Sequence, residues 1–186
     1  MSKKKLLQIS MIAAIAPILL IPASTFVIGQ EDTTPPSVAI TEPANGANLN
    51  ITNVIVNGTA SDASGIASVE VFVDNTSQGN ATLSGTSWTL TLTLTEGAHN
   101  VTAKATDTAG NMNSASINLT IDITPPSITA PAAITVEGNS AGGATGVALG
   151  IPTVSDNIDP SPSVSNNAAP LFPLGNTTVT WTATSM

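Results

Sequence analysis

Hydrophobic and polar side chains alternate in short runs along the chain after residue 30, and Gly, Asn, Asp and Pro separate the runs. This period of two is typical of half-buried β-strands, because successive side chains of a strand point to opposite faces. No segment between residues 32 and 122 has a competing helical period. The predicted strands are 38–41, 54–60, 68–74, 89–95, 100–106 and 115–121, with a weaker one near Ala81.

About seven strands in roughly ninety residues favour a β-sandwich. Strand parity then divides the side chains into an inner and an outer set. Thr89, Thr91 and Thr93 are expected on the outer face. Trp88 has the same parity as three leucines, so we expect its side chain in the core and not on a ligand-binding surface. The predicted inward residues are Val69, Val71, Val73, Trp88, Leu90, Leu92, Leu94, Val101, Ala103, Ala105, Ile117, Leu119 and Ile121.

The chain contains an internal repeat. Asp-Thr-Thr-Pro-Pro-Ser at 32–37 returns as Asp-Ile-Thr-Pro-Pro-Ser at 122–127, and 101–107 resembles 179–185. Paired prolines stiffen a chain, so each Thr-Pro-Pro predicts a short linker before a module. We therefore expect tandem immunoglobulin-like (Ig-like) β-sandwiches at 32–122 and 123–186, the second without its last strand. Either the chain is part of a longer repeat protein, or another chain donates that strand.

Charge and composition narrow the function. The chain has 4 Lys and Arg against 12 Asp and Glu, and three of the basic residues are Lys3, Lys4 and Lys5, so only Lys104 remains beyond them. Such an acidic surface argues against nucleic-acid partners. With no Cys and one His, disulfides and thiolate zinc sites are excluded. His99 has no nucleophile signature beside it and is expected at the surface, so we predict a protein that is not an enzyme.

The N-terminal segment 1–30 predicts export. Three lysines precede the apolar stretch 6–28, and the small residues at 23–25 offer a cleavage site. This pattern is typical of a secretory signal peptide. An uncleaved membrane anchor is the alternative, and in that case the membrane contact is limited to this segment. Both interpretations predict a secreted or cell-surface protein.

Three phrases of the first module resemble a known family. Residues 35–46 read PPSVAITEPANG, residues 60–74 contain ASD and VEVFVD, and residues 105–111 read ATDTAGN. Together they resemble the prokaryotic Ig-like repeat of cell-surface proteins. The resemblance implies an extracellular sandwich that serves adhesion or assembly, with no catalytic residues to carry over.

The second module resembles a different repeat. Residues 126–131, 155–160 and 172–184 are similar to the hyalin repeat (HYR domain), truncated at its C-terminal end. Many members of that family have cysteines where Ala130, Ile158 and Trp181 stand here. This copy is therefore expected to use apolar packing in place of bridging.

A calcium site is the one cofactor that the residues suggest, and no other is expected. Ig-like topology would bring the linker at Asp32, the loop at Asp62 and the hairpin 107–111 toward one end of the sandwich, and hard oxygen ligands suit this ion. Alternatively, these aspartates cap turns by bonding to their own backbone. The candidate ligands are Asp62, Asp107, Asn111, Asp156 and Asp159.

Asn-x-Ser/Thr sequons make the chain a possible glycoprotein if its host modifies exported proteins. Strand parity turns Asn57, Asn100 and Asn118 toward solvent. The candidate sites are Asn50, Asn57, Asn75, Asn80, Asn100, Asn118 and Asn176.

We thus expect a non-catalytic cell-surface protein that acts as an adhesion or spacer module, with other surface proteins or glycans as partners. A structural surface-layer repeat is a second hypothesis. A third is a carbohydrate-binding accessory module of a secreted hydrolase, which usually needs exposed aromatic side chains. With no Tyr, three Phe and two Trp, that surface is hard to build here.

Overall fold

A computed structural model describes residues 31–185. Every regular element in that range is a β-strand, which confirms the predicted all-β class. Within the same range no helix has the length and hydropathy needed to cross a membrane. The predicted signal peptide or anchor at 1–30 lies outside the described residues.

Nine strands form the first half of the described chain. Each predicted strand has a counterpart among them, usually longer by one to three residues at its ends. They are β1 (Ser37–Glu42), β2 (Ala47–Leu49), β3 (Asn53–Ser61), β4 (Ile66–Val73), β5 (Thr76–Asn80), β6 (Thr82–Ser84), β7 (Ser87–Thr93), β8 (Gly97–Asp107) and β9 (Met112–Ile121).

These strands make two sheets. One has the order β1-β3-β7-β6 and is antiparallel throughout. The other has the order β2-β9-β8-β4-β5, in which only β2 and β9 run parallel. Apolar residues from both sheets belong to one buried cluster, so the arrangement is a sandwich.

The core follows strand parity. Of the thirteen predicted inward residues, twelve are buried and Leu90 is half-buried against them. Val56, Val69, Val71 and Val101 are completely inaccessible to solvent. Threonines 89, 91 and 93 are exposed, as predicted. Burial of every second side chain between the sheets therefore specifies which face of each strand is inside.

The prediction missed two strands, β2 because it is very short and β5 because it lacks apolar alternation. β2 has three residues, and β5 reads Thr-Ser-Gln-Gly-Asn with no large apolar side chain. A two-residue turn joins β4 to β5, and both of its residues, Asp74 and Asn75, have positive φ angles of 49° and 67°. Asp and Asn tolerate this conformation better than most residues, and it matches the twist of a β-hairpin.

The second half of the described chain contains three strand pairs. β10 (Ser127–Thr129) pairs with β12 (Thr153–Ser155), β11 (Ala144–Thr145) with β14 (Leu171–Phe172), and β13 (Ser163–Asn166) with β15 (Trp181–Thr184). Ser37 pairs with Ser61 in the first half, and Ser127 pairs with Ser155 in the second. In each half, the serine of the Pro-Pro-Ser segment thus pairs with a serine that precedes an aspartate.

Burial in the second half is sparse. Among its described apolar side chains only Ala144 is buried, whereas Leu174 is 81% and Ile151 is 91% exposed. A cavity of about 410 Å³ lies among its apolar residues, including Phe172 and Trp181. Its strands are short because little apolar area holds them together.

Gly58 of β3 gives the first prediction. A Cβ atom built there would lie 2.1 Å from the carbonyl oxygen of Ala39 and 2.2 Å from the ring of Trp88. Gly58→Ala should therefore lower the free energy of unfolding by about 2 kcal/mol or more, because a backbone atom and a buried ring would both have to move. Urea unfolding measures this value. Substitution of the exposed Ser87 of β7, Ser87→Ala, is the control, and equal stability of the two variants would contradict the close approach.

Candidate metal centre

Three carboxylates converge at one end of the first sandwich, which we call the acidic pole: Asp32, Asp62 and Asp107. Asp32 lies in the linker before β1, and Asp62 directly follows β3, the antiparallel partner of β1. Asp107 ends β8 opposite Ile66, the first residue of β4. One potential ligand oxygen from each aspartate lies within 4.8 Å of the other two. The predicted convergence of linker, loop and hairpin is therefore present.

Asp107 is the buried member of the acidic pole and is 1% exposed. Its Oδ1 accepts hydrogen bonds from the backbone N–H groups of Ala109 (2.9 Å) and Asn111 (2.8 Å). The side-chain Nδ2 of Asn111 donates to Oδ2 of Asp107 (2.8 Å) and to the carbonyl oxygen of Asp32 (2.9 Å). Asn111 thus presents its nitrogen, not its oxygen, to the pole and ties the hairpin to the linker.

Asp62 and Asp32 also cap turns. Oδ1 of Asp62 accepts from the backbone N–H and the hydroxyl of Ser64, both at 2.8 Å. Oδ1 of Asp32 accepts from the N–H of Thr34 at 2.9 Å. In all three aspartates a backbone N–H group of the turn donates to Oδ1, and Oδ2 of Asp107 also accepts from Nδ2 of Asn111. Turn capping therefore explains the Oδ1 contacts of the acidic pole.

The acidic pole carries negative charge with no positive side chain to balance it among the described residues. Hydrogen bonds to its charged form, first from the N–H of Thr34 and then from Ser64, hold the pKa of Asp32 below its usual value. Lys104 is the only Lys or Arg beyond residue 5, and it lies inside β8, opposite Glu70 and Ser114. The only ion pair within residues 31–185 involves Asp74 and His99.

The candidates Asp156 and Asp159 lie in the second half. Oδ1 of Asp156 accepts from the N–H groups of Ile158 and Asp159, both at 2.8 Å. Asp159 is 6% exposed and accepts from the N–H of Ser161 at 2.9 Å. Within the described range, the acidic pole is the only place where three or more Asp, Glu, His or Cys side chains come this close. Asp156 and Asp159 therefore cap a loop, and they do not form a cluster with a third carboxylate among the described residues.

The sequons differ in accessibility. Asn57 is half-buried and donates to Glu42 at 3.0 Å, and Asn100 is half-buried and donates to Asn118 at 2.9 Å. A glycan on either would have to displace these bonds. The exposed candidates are Asn50, Asn75, Asn80, Asn118 and Asn176.

His99 lies at the opposite end of the sandwich. The prediction that its side chain lies at the surface is wrong. Its side chain is only 11% exposed, and Nδ1 lies 2.7 Å from Oδ2 of Asp74. Nε2 lies 2.9 Å from the carbonyl oxygen of Thr95. The turn between β4 and β5 places Asp74 beside β8, a contact between strands that sequence spacing does not reveal.

Comparisons with known proteins agree with an Ig-like first half. A family model described as a bacterial Ig domain matches residues 36–103. No curated protein sequence matches the chain significantly. The family match and the two-sheet core both support an Ig-like fold for the first half.

Three solved structures similar to the chain each cover less than half of it. Fibronectin(III)-like modules of CbhA from Clostridium thermocellum share 19% identity over 47% of this chain and 98% of theirs, with a TM-score of 0.43. An engineered protein shares 26% identity over 46% of this chain and 20% of its own, with a TM-score of 0.39. An endo-β-1,4-mannanase double mutant of Cellulomonas fimi shares 27% identity over 45% of this chain and 18% of its own, with a TM-score of 0.35. The chain thus spans about a fifth of the latter two proteins.

The pair of His99 and Asp74 predicts a pH dependence. Burial is the largest single effect on His99 and lowers its pKa. The hydrogen bonds of His99 to Asp74 and Thr95, together with the charge of Asp74, outweigh burial, so the pKa of His99 is raised. The N–H of Asn100 and then His99 lower the pKa of Asp74. The pair should therefore stabilise the fold most between about pH 4 and 6.5. This stabilisation is lost as pH rises through the folded pKa of His99, or falls through that of Asp74.

Asp74→Asn tests this dependence, because Asn tolerates the positive φ and its Oδ1 still accepts from the N–H of Asn100. An NMR titration of His99, the single histidine, should give a pKa above 6.5 in the native protein and a lower value in the variant. Identical titration curves would contradict the pairing.

Proposed function

We propose that this chain is a non-catalytic, extracellular protein whose Ig-like module acts as an oriented spacer on the cell surface and supports adhesion to other surface proteins or glycans. The observation that carries the proposal is that the chain segments entering and leaving the module are both hydrogen-bonded to its body. A module with fixed ends passes its orientation to the next one, whereas free linkers would not.

The entry linker 32–36 is held at the acidic pole. Asn111 donates to the carbonyl oxygen of Asp32 and Asn113 to that of Pro36, both at 2.9 Å. Pro36 itself is fully buried. The entry linker is therefore hydrogen-bonded to the body of the module at Asp32 and Pro36, while residues 33–35 between them are exposed.

The exit linker 122–126 is held at the other end. The N–H of Asp122 donates to the carbonyl oxygen of Leu49 at 2.8 Å. The carboxylate of Glu96 accepts from the hydroxyl of Thr124 at 2.6 Å and from the side-chain amide of Asn157. Glu96 thus connects the module, its exit linker and the second half, which we propose is an incomplete hyalin-type module.

The outer face of the larger sheet is polar and internally bonded, which suits a solvated surface. Thr102 and Ser116 lie hydroxyl to hydroxyl at 2.8 Å across β8 and β9, and Asn100 and Asn118 continue this row. The segment 1–30, with its lysines and apolar stretch, supports the export part of the proposal.

Burial of the aromatic residues does not favour the carbohydrate-binding alternative. Trp88 is 2% exposed, and Phe72, Phe172 and Trp181 are half-buried. Sugar rings usually stack on exposed aromatic faces, and none of these four described residues belongs to the exposed class. Saturable binding on a glycan array that is lost in Phe72→Ala would nonetheless reverse this preference.

Glu96→Ala tests the spacer. Without the carboxylate, the bonds to Thr124 and Asn157 are lost, so residues 123–129 should reorient independently of the module. The backbone order parameter of these residues by ¹⁵N relaxation should fall from about 0.85 toward 0.6 or below. Glu42→Ala, which removes an exposed carboxylate elsewhere in the module, is the matched control. Low order parameters already in the native protein would contradict the oriented spacer.

The extracellular part of the proposal has a separate test. An antibody against the Ig-like module should label intact cells of the producing organism. As the control, an antibody against a cytosolic protein should label the cells only after lysis. Labelling of the module only after lysis would overturn the proposed location.

A further inference from the structure

One side of β15 has no neighbouring strand. Among residues 31–185, β15 pairs only with β13. The N–H of Asn167 donates to the carbonyl oxygen of Thr180 at 3.2 Å, which extends this pairing by one step. Backbone groups of successive residues in an antiparallel strand point to opposite sides, so those of Trp181 and Ala183 point away from β13. We call this side the free edge of β15.

The first half shows what occupies the equivalent place. Residues 97–107 of β8 read GAHNVTAKATD, and residues 175–185 read GNTTVTWTATS. With these two segments aligned, β13 pairs with β15 in the register in which β4 pairs with β8. The other neighbour of β8 is β9. The free edge of β15 is therefore the place that β9 takes in the first sandwich.

Strand structure also begins late beside the free edge. β8 begins at Gly97, and the only strand that pairs with its first four residues, 97–100, is β9. The equivalent residues 175–178 are not part of a strand, and β15 begins at Trp181. Residues that rely on a β9-like neighbour for pairing are thus the ones that lack strand structure in the second half.

The apolar cavity of the second half lies beside the same edge. Its volume is about 410 Å³, and its lining includes every second residue from Gly175 to Trp181. In the first half, the equivalents of these residues lie opposite alternate residues of β9, of which Ile117, Leu119 and Ile121 are buried. Residues directly opposite across a strand pair project to the same face. The cavity therefore corresponds to the space that branched apolar side chains of β9 fill.

We propose that the free edge of β15 binds a strand of a partner protein, which pairs antiparallel with β15 and places alternate apolar side chains in the cavity. In strand addition of this kind, backbone hydrogen bonds supply affinity and side-chain pockets supply specificity. The repeat defines the chemistry of the partner strand. It has a small residue opposite Trp181 and branched apolar residues opposite Val179 and Thr177, as β9 has in the first half.

The residue after β15 favours a separate protein over a hairpin as the source of this strand. Asp107 shapes the turn between β8 and β9, because its two carboxylate oxygens accept three hydrogen bonds from Ala109 and Asn111. Ser185 stands at the equivalent position, and its single hydroxyl oxygen cannot accept all three.

A second copy of this chain does not offer its own β9 either. That strand is already paired with β8, and its apolar side chains are buried in the first sandwich. The inference does not rest on the proposed spacer function, because an open strand edge beside an apolar cavity can bind a strand whatever the role of the module.

Peptide titration of the full chain tests this proposal. The probe is a synthetic peptide of residues 112–121, the sequence of β9. It should shift the amide NMR signals of Trp181 and Ala183 and move the fluorescence of the half-buried Trp181 to shorter wavelength, whereas Trp88 is already buried. The control peptide carries three substitutions, Ile117→Ser, Leu119→Ser and Ile121→Ser. It should bind at least about tenfold more weakly, because it lacks the apolar side chains that fill the cavity.

A pair of protein variants tests the edge itself. Ala183→Pro removes a backbone donor on the free edge and leaves the side toward β13 intact, so it should weaken binding of the β9 peptide about tenfold. Ala169→Pro makes the same change in the exposed segment before β14 and should bind the peptide like the native chain. Unchanged amide signals of β8 show that the peptide has not replaced β9 in the first sandwich.

The peptide comparison needs no protein variant and stays decisive if Ala183→Pro does not fold. Absence of any shift at about 1 mM peptide would overturn the proposal. Equal binding of the two peptides would also overturn it, since the apolar side chains would then not enter the cavity. So would slow exchange of the Trp181 and Ala183 amides without peptide, because another part of the chain or a second copy would then cover the edge.

Discussion

Burial of alternate side chains between two sheets is the constraint on which the first half of this protein depends. Val56, Val69, Val71 and Val101 have no solvent exposure at all. A slip of one residue in the pairing of any central strand would turn its apolar set to water and its polar set into the core. The register is therefore fixed without disulfides, of which a chain without cysteine can have none.

Fixed register has consequences at both ends of the sandwich. Antiparallel strands return the chain to the same end, so residues far apart in sequence meet where strands begin and end. One end collects Asp32, Asp62 and Asp107, and the other collects Asp74 and His99. The segments that enter and leave the module also lie at these ends. A scaffold of alternating apolar and polar residues thus places these charged groups at its two ends, outside the apolar core.

Sequence predicted the parts of the structure that follow from periodicity and repetition. Strand 54–60 is observed as Asn53–Ser61, and the inward parity of Trp88 is confirmed. Ig-like topology also predicted that Asp62 and Asp107 lie toward one end of the sandwich, where their carboxylates are close together. These successes share a cause, because alternation and strand connectivity are local properties that the sequence states directly.

The missed features depend on contacts between distant segments. β5 is a strand because β4 offers it an edge, although its own residues are polar. His99 is shielded because the turn at Asp74 folds over β8. The unpartnered oxygens of Asp122 are invisible in sequence, where an aspartate before a Thr-Pro-Pro linker resembles any solvated turn residue. The packing of the second half likewise depends on how much apolar surface its side chains bury. The alternation of apolar and polar residues does not reveal that amount.

Native-state hydrogen exchange of the full chain tests the central claim, that one continuous core holds both sheets and thereby both linkers. Amides in β3, β4 and β8 should exchange slowest, with a common free energy equal to that of global unfolding. The strand pairs of the second half should exchange by lower-energy openings. If β3 exchanged independently of β4 and β8, or if the second half were the best protected region, the two sheets would not share a core and the account would be wrong.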